Sequence, residues 1–415
     1  MKILISAFSC GPTSTSEPGV AWRMVNHALA EGHEVWTIAE KGHYEADTLA
    51  YLAEHPMPGY HPTFFSLSRP VYKALNRSGM IGAVYYHLWQ RRLLQVAKEL
   101  HRQIGFDLAH HVTFGRYWTP SGVRDLGIPF IWGPVGAAEQ APRPFIAELP
   151  FRDQLFEFIR DQVRAISQFD PALRATARRA TVAIGISRES CEEIRKLGAP
   201  RVEQLPQAAL SDAELDFFSR FPPPSPGPFR AMCMGRHLHW KGFHLAIRAF
   251  ALFHRTSPDS ELWIANNGPF RAELEKTVER EGLTGSVRFL GLVPSYAALM
   301  DKLAEAHVLL HPALHEAFGI GCMEALAAGR PVVCLDIGGP AAQVTADCGF
   351  IAPATTPAEA IEAMAAFLTR IDRDRTLLAE MSVKARERVR EKFTIRKMGE
   401  AISSYYREAT TPKLG

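Results

Sequence analysis

His315-Glu316-Ala317-Phe318-Gly319-Ile320-Gly321-Cys322-Met323-Glu324-Ala325-Leu326-Ala327-Ala328-Gly329-Arg330-Pro331-Val332-Val333 sets two carboxylates, with seven residues between them, around a glycine-rich helix start. Val308 to His311 reads as a buried strand, Glu316 to Gly321 as a loop, Cys322 to Ala328 as a helix closed by Gly329 and Pro331, and Val332 to Leu335 as a second strand. Strand, loop, helix, strand is a parallel crossover unit. The free backbone N–H groups of Phe318 to Gly321 open the helix, and their partial positive charge suits a phosphate. Glu324 falls about five residues into that helix, roughly 7 Å along its axis, with Glu316 in the loop before it. Each carboxylate can then hold a different part of an extended ligand, and a diol is the natural target because one carboxylate accepts from two hydroxyls. At arbitrary spacing two such glutamates would read as solvated acids; the flanking glycines and the Gly329-Arg330-Pro331-Val332-Val333 run count against that here.

Outward from this stretch, strands and helices alternate along most of the chain, which implies an α/β fold of doubly wound parallel sheets. Ile3 to Phe8, Glu34 to Ala39, Leu108 to Val112, Phe130 to Trp132 and Val182 to Ile186 are compact apolar runs, and Gly19 to Ala30 is a helix between the first two. Phe221-Pro222-Pro223-Pro224-Ser225-Pro226-Gly227-Pro228 cannot continue a helix or a central strand and marks a domain boundary. A second series starts at Phe229 and runs through Leu262 to Ala265 and Val287 to Leu290. The expected division is an N-terminal domain over 1–210, a Pro-rich linker over 211–228, a C-terminal domain over 229–392 and a closing segment over 393–415, with a last helix from Thr394 to Ala409.

A chain of 415 residues suits two domains, and 22% charged with 47% hydrophobic content is ordinary for a globular protein. A formal net charge of +3 excludes nucleic-acid binding driven by bulk charge. Six scattered cysteines without a Cys-x-x-Cys pair read as reduced thiols, pointing to a cytoplasmic protein. No run is long enough to span a bilayer, and Met1 to Cys10 reads as a first buried strand rather than a lipoprotein signal.

A second constellation, Met232-Cys233-Met234-Gly235-Arg236-His237-Leu238-His239-Trp240-Lys241-Gly242, follows the boundary. Fixed cations at this position would stabilise negative charge developing on a phosphate leaving group. His237 and His239 lack a third nearby ligand in sequence, His311 and His315 flank Pro312, and Asp372-Arg373-Asp374 lies in a charged segment, so no metal site is expected.

Together these segments resemble retaining glycosyltransferase family 4, with its E-x7-E motif and two Rossmann-like domains facing a central cleft, the GT-B arrangement. The resemblance implies that Glu316 meets hydroxyls of a donor sugar, Glu324 the ribose of its nucleotide, and Arg236 and Lys241 the diphosphate. It also brings Phe318, Gly319, Ile320, Gly235, Gly268 and Gly291 to the donor nucleotide, and sends the closing helix, with Tyr405-Tyr406, back to the N-terminal domain. Gly11 and Gly19, bounding Gly11-Pro12-Thr13-Ser14-Thr15-Ser16-Glu17-Pro18-Gly19 after the first strand, match a glycine-rich loop near the donor phosphates and acceptor. Ser16-Glu17-Pro18-Gly19, His110-His111-Val112-Thr113-Phe114 and Trp132-Gly133-Pro134-Val135-Gly136 resemble a bacterial subgroup of that family. Gly133-Pro134 stands where many members have a histidine close to the reacting sugar, which directs attention to His111, with His110 packed inside. Asn266-Asn267-Gly268-Pro269 and Pro206-Gln207-Ala208 also depart from the family pattern.

The expected activity is metal-independent, retaining transfer from a nucleotide-diphosphate sugar to a hydroxyl acceptor, in glycan, polysaccharide or glycolipid synthesis, with no cofactor. A catalytically silent sugar-nucleotide binding or scaffold protein, or a sugar-nucleotide 2-epimerase on the same fold, are the alternatives. Tyr85 to Leu94 and Phe145 to Arg164 mix aromatic, apolar and basic residues. They read either as a face for the inner surface of a membrane, or as helices packing their apolar sides on a sheet with arginines in water.

Overall fold

The apolar runs become strands of two all-parallel sheets in a computed structural model, which describes residues 1–12, 17–75 and 80–411. The first sheet contains β1 (Lys2–Ala7), β2 (Glu34–Glu40), β3 (Tyr60–Phe65), β4 (Leu108–Thr113), β5 (Phe130–Val135), β6 (Val182–Gly185) and β7 (Val202–Gln204), in the order β3-β2-β1-β4-β5-β6-β7. The second contains β8 (Arg230–Met234), β9 (Glu261–Ala265), β10 (Val287–Gly291), β11 (Val308–His311), β12 (Val332–Leu335) and β13 (Gly349–Ala352), in the order β10-β9-β8-β11-β12-β13. Central strands such as β4 and β11 are buried at every position, as expected where helices cover both faces of a parallel sheet. Each sheet therefore starts at its middle, winds outward to one edge, returns to the middle and winds to the other edge.

Two compact units hold these sheets: Met1–Ala138, Gln162–Gln207 and Met398–Gly415 in the first, Glu139–Asp161 and Ala208–Lys397 in the second. The chain thus enters the second unit twice, where a single crossing after residue 210 had been expected. The early visit is made by the first part of helix α2 (Phe151–Ser167), which follows α1 (Glu17–Ala30). The stretch 211–228 is not all linker, because α3 (Asp212–Ser219) precedes the prolines. A capping box explains it: the Ser211 side chain accepts from the Glu214 N–H, and the Glu214 carboxylate accepts from the Ser211 N–H. The last helix, α6 (Ile395–Thr410), comes after α4 (Phe243–His254) and α5 (Ile320–Ala327). Its Ser403 hydroxyl lies 2.8 Å from His27 Nε2, within the first unit.

The two mixed aromatic and basic stretches fold differently. Tyr85, Tyr86, Trp89 and Leu93 are buried while Arg91 and Arg92 are exposed, an ordinary amphipathic packing. Helix α2 is the reverse: Glu157 and Arg164 are 1% exposed, while Phe151, Phe158 and Ile166 are 78%, 61% and 69% exposed.

Candidate functional site

In a doubly wound sheet, ligands bind beyond the carboxyl ends of the strands where the winding reverses. In the second unit that point lies between β8 and β11. The loop after β8 carries Gly235 to Lys241, and the loop after β11 carries Pro312 to Gly319, so the two motifs singled out in the sequence meet there.

The β8 loop is fastened first. His237 is fully buried, its Nε2 lies 3.2 Å from the Ala265 carbonyl, and its backbone N–H donates to Asn267 at 3.1 Å. A short 3-10 turn, His239–Lys241, then ends at Gly242 with φ 68°. A Cβ at Gly242 would run into the Pro312 carbonyl, so glycine supplies both the left-handed turn and the close approach of the β11 loop. The Leu314 N–H donates to the Trp240 carbonyl at 2.7 Å and ties the two loops by backbone.

This brings the Lys241 ammonium into an ion pair with the Glu316 carboxylate, both partly buried. His311 Nε2 stands 3.6 Å from the same carboxylate. Burial alone would raise the Glu316 pKa; Lys241 and His311 outweigh it and hold the carboxyl well below its usual range. His311 itself is pushed down by burial. Arg236 is exposed and makes no ion pair among the described residues.

Helix α5 begins at Ile320, two residues before the expected Cys322, because Gly319, with φ 81°, makes the turn into it. Its opening N–H groups have no partner within the helix. Phe318 contributes only backbone to this opening, since its ring is 3% exposed and lies 6.3 Å from that of Phe393. Glu324, half-buried on α5, accepts from the Tyr296 hydroxyl at 2.8 Å. Burial, with Glu214 adding to it and Tyr296 opposing it, raises its pKa to about 7.

Gly268 and Gly291 sit past β9 and at the end of β10, on the same edge of the sheet. The Asn266-Asn267-Gly268-Pro269 departure is accommodated because Asn266 takes φ 73°, a conformation that asparagine tolerates, and donates its N–H to the Gly291 carbonyl at 2.8 Å.

The corresponding reversal in the first unit lies between β1 and β4. Gly11 follows β1 and its N–H donates to the Pro18 carbonyl at 3.4 Å; Thr13 to Ser16 lie outside the described residues. Gly19 is buried in the first turn of α1, which starts at Glu17, two residues before the expected start at Gly19. The expectation that His111 reaches out from the strand end is corrected: His110 and His111 are both 0% exposed, because β4 is covered on both faces. The His110 Nε2 donates to the Gly133 carbonyl at 2.6 Å, which leaves Nδ1 to accept from the Tyr406 hydroxyl at 2.8 Å. His111 Nε2 lies 3.5 Å from the Tyr86 hydroxyl and 3.4 Å from the Phe114 carbonyl. Burial lowers both imidazoles to about 4.

Sequence reasoning missed three groups near these loops. Glu17, inside the Ser16-Glu17-Pro18-Gly19 segment, accepts from the Gly115 N–H at 2.8 Å, and burial raises its pKa. Tyr296 holds Glu324. Glu157 of α2 meets His239 and His315, and its signal was available as a helix whose Asp153, Glu157 and Arg160 share a face opposite Phe151 and Phe158.

Residues 217–388 match the family model described as glycosyl transferases group 1. The chain is 24% identical over 279 residues to 2-deoxystreptamine glucosyltransferase of Streptomyces kanamyceticus, covering 63% of this chain and 67% of that protein. It is 30% identical over 182 residues to the lipopolysaccharide core biosynthesis mannosyltransferase LpsB of Rhizobium meliloti (strain 1021), covering 42% of this chain and 50% of that one. Among solved structures, the Anabaena protein HepE in complex with UDP and glucose superposes with a TM-score of 0.59 at 17% identity, over 98% of this chain and 100% of its own. The likeness shows the fold, which is that of the GT-B glycosyltransferases.

Proposed function

We propose that the chain transfers a sugar from a nucleotide-diphosphate donor to a hydroxyl acceptor, with retention of anomeric configuration and without a metal ion. The observation that carries this reading is the Lys241–Glu316 pair at the switch point beside the N-terminus of α5. The group 1 match over 217–388 and the sugar-transferring relatives support it.

In this reading the donor diphosphate lies against Arg236, Lys241 and the opening N–H groups of α5. As the bond from the anomeric carbon to the diphosphate breaks, its electron pair stays on the phosphate oxygen, and these fixed positive charges stabilise it. Lys241 already faces a carboxylate, so it enters the reaction desolvated and oriented. Glu316 accepts from donor-sugar hydroxyls and Glu324 from the ribose diol. The acceptor oxygen bonds to the anomeric carbon on the face the diphosphate leaves, and a phosphate oxygen takes the acceptor proton. Screening UDP-, GDP- and ADP-sugars by thermal shift, then following the matched donor by NMR, tests the reading. A stabilising donor, a first-formed glycoside of unchanged anomeric configuration and turnover unaffected by EDTA are expected; inversion or a metal requirement would overturn the corresponding part.

We further propose that the acceptor is met at a membrane surface. The outward side of α2 presents Phe151, Leu155, Phe158 and Ile166, while Asp153 and Glu157 are turned inward onto His239, which leaves Asp161, paired with Arg160 at the border of this face, as the one half-exposed acid beside it. No helix among the described residues is long and apolar enough to cross a membrane. Co-flotation with phosphatidylglycerol-containing vesicles, lost in a Phe151→Ser/Phe158→Ser variant, is the expected outcome; equal flotation of both proteins would remove this part.

A further inference from the structure

We propose that Glu157 is a positioning residue that fastens, through His239 and His315, the two loops bearing Lys241 and Glu316; this rests on the glycosyltransferase reading above. Its Oε1 lies 2.7 Å from His239 Nε2 and 3.0 Å from His315 Nε2, so one carboxylate oxygen accepts from both rings. His239 comes two residues before Lys241, and His315 immediately before Glu316. One atom of α2 therefore holds the β8 loop and the β11 loop at a fixed separation.

The rest of this helix face serves the same loops. Asp153 Oδ1 stands 3.2 Å from His239 Nδ1, and Arg160 3.6 Å from the second Glu157 oxygen. The Phe156 ring stacks on Trp240 at 5.6 Å and 9°, and Trp240 in turn stacks on His315 at 5.3 Å and 19°. Asp153, Phe156, Glu157 and Arg160 follow the i, i+3, i+4, i+7 spacing of a single helix side. The residues 139–161 that carry them pack with the second unit, although they precede its main segment by almost fifty residues, from Asp161 to Ala208.

Burying a carboxylate to 1% exposure is a costly way to join two loops, since well-packed apolar side chains would hold them at least as firmly. What the carboxylate adds is direction: it fixes how each ring is turned and, at His315, which ring nitrogen is protonated. Burial alone would raise the Glu157 pKa, and the bonds from His239 and His315 outweigh it, keeping the group ionised. His315, lowered by burial to about 4, stays neutral and donates from Nε2. Lys241 and Glu316 thereby inherit their spacing from α2. Displacing a group in an active site by about 1 Å can cost on the order of 100-fold in rate, so this spacing is a sensitive quantity.

The test is Glu157→Gln, which keeps the shape and removes the charge, measured in the otherwise native chain and in the Lys241→Ala background. A fall in kcat of about tenfold with donor KM held within about twofold is expected in the native background. In the Lys241→Ala background the same substitution is expected to cost less than about twofold, because the Lys241–Glu316 spacing that Glu157 sets no longer exists. Equal losses in both backgrounds, or a loss that merely tracks a lower Tm, would overturn the proposal and leave Glu157 a structural residue. Imidazole 15N NMR of the free protein gives a readout that needs no turnover. His315 is expected to be protonated at Nε2 and to change its shift in Glu157→Gln; protonation at Nδ1 instead would overturn the clamp. Should the wild-type chain transfer from no nucleotide sugar, the glycosyltransferase reading falls, while the NMR result still decides the clamp.

Discussion

The two sheets present the same topological reversal, yet they treat charge in opposite ways. Between β8 and β11 an ammonium and a carboxylate are paired, partly exposed and ionised. Between β1 and β4 two imidazoles are 0% exposed and lowered to about 4, and the carboxylate of Glu17 is raised by burial. The position of a site follows from the winding of the sheet, but its chemistry depends on whether charges are kept where a ligand can reach them. The second unit keeps a charged pair partly open to a ligand; the first buries its two imidazoles in the neutral form.

The sharpest way to break this contrast is to remove the charged pair. Lys241→Ala or Glu316→Ala should lower turnover at saturating donor by about 100-fold or more, the scale on which one electrostatic contact to a transition state acts. Both variants should retain a cooperative melt, since the loops are also held by Leu314 to Trp240 and Gly242 to Pro312 contacts. Near wild-type turnover in either would place the chemistry elsewhere.

A smaller effect is expected at Glu324. The folded protein holds its proton up to about 7, against 4.5 for an ordinary glutamate, so the folded state binds more protons across that window. Stability from this group is therefore complete below about 4.5 and is lost as pH rises toward 7 and beyond. Glu324→Gln should melt with wild type at pH 4 and above it at pH 8. UDP binding should show the opposite sense: wild type tightens as the carboxylate ionises between about pH 6 and 8 and can accept from the diol, while Glu324→Gln stays flat and about tenfold weaker at the upper end. Calorimetry at the two ends of the range decides it, and parallel pH profiles would remove Glu324 from the nucleotide site.

The legible parts of the chain were those whose physics is local. Central strands such as Val308–His311 and Val332–Leu335 were readable as continuous apolar runs because both of their faces are buried. Among the edge strands β10 was legible through Val287, Phe289 and Leu290, whereas β3, β7 and β13 lack such a run. Tyr60–Phe65 carries Pro62 and is half-exposed along most of its length, and Val202–Gln204 is too short to show a period. The Lys241 and Glu316 motifs could be found separately, but their pairing could not, since it depends on two loops brought together by tertiary packing. Helix α2 was readable as amphipathic and not as inverted: its hydrophobic period says which residues share a face, and nothing in that period says which face turns inward. Only Asp153 and Glu157, opposite Phe151 and Phe158, hint at it.

The least change in turnover is expected from the first unit's histidines, and this is where the contrast between the two reversals is most finely tested. His110→Ala would leave the Gly133 carbonyl and the Tyr406 hydroxyl without their buried partner, at a cost of about 2–4 kcal/mol including the cavity. His111→Ala gives up longer contacts, at 3.4 and 3.5 Å, and Tyr86 keeps its bonds to Gln90 and the Phe114 N–H, so about 1–2 kcal/mol is expected. Both rings are neutral in the folded protein and lowered from 6.5 to about 4, so the unfolded chain takes up more protons in that interval. Their contribution is whole above about 6.5 and drains away as pH falls toward 4, and each alanine variant should flatten that acid limb of the Tm profile. Turnover should stay within about twofold of wild type in both once the lower Tm is allowed for, as expected of groups that act on the fold alone. A His111→Ala variant with an unchanged Tm and a specific loss of turnover would instead show that the first reversal also carries chemistry, with the imidazole turning toward the acceptor when a ligand is bound.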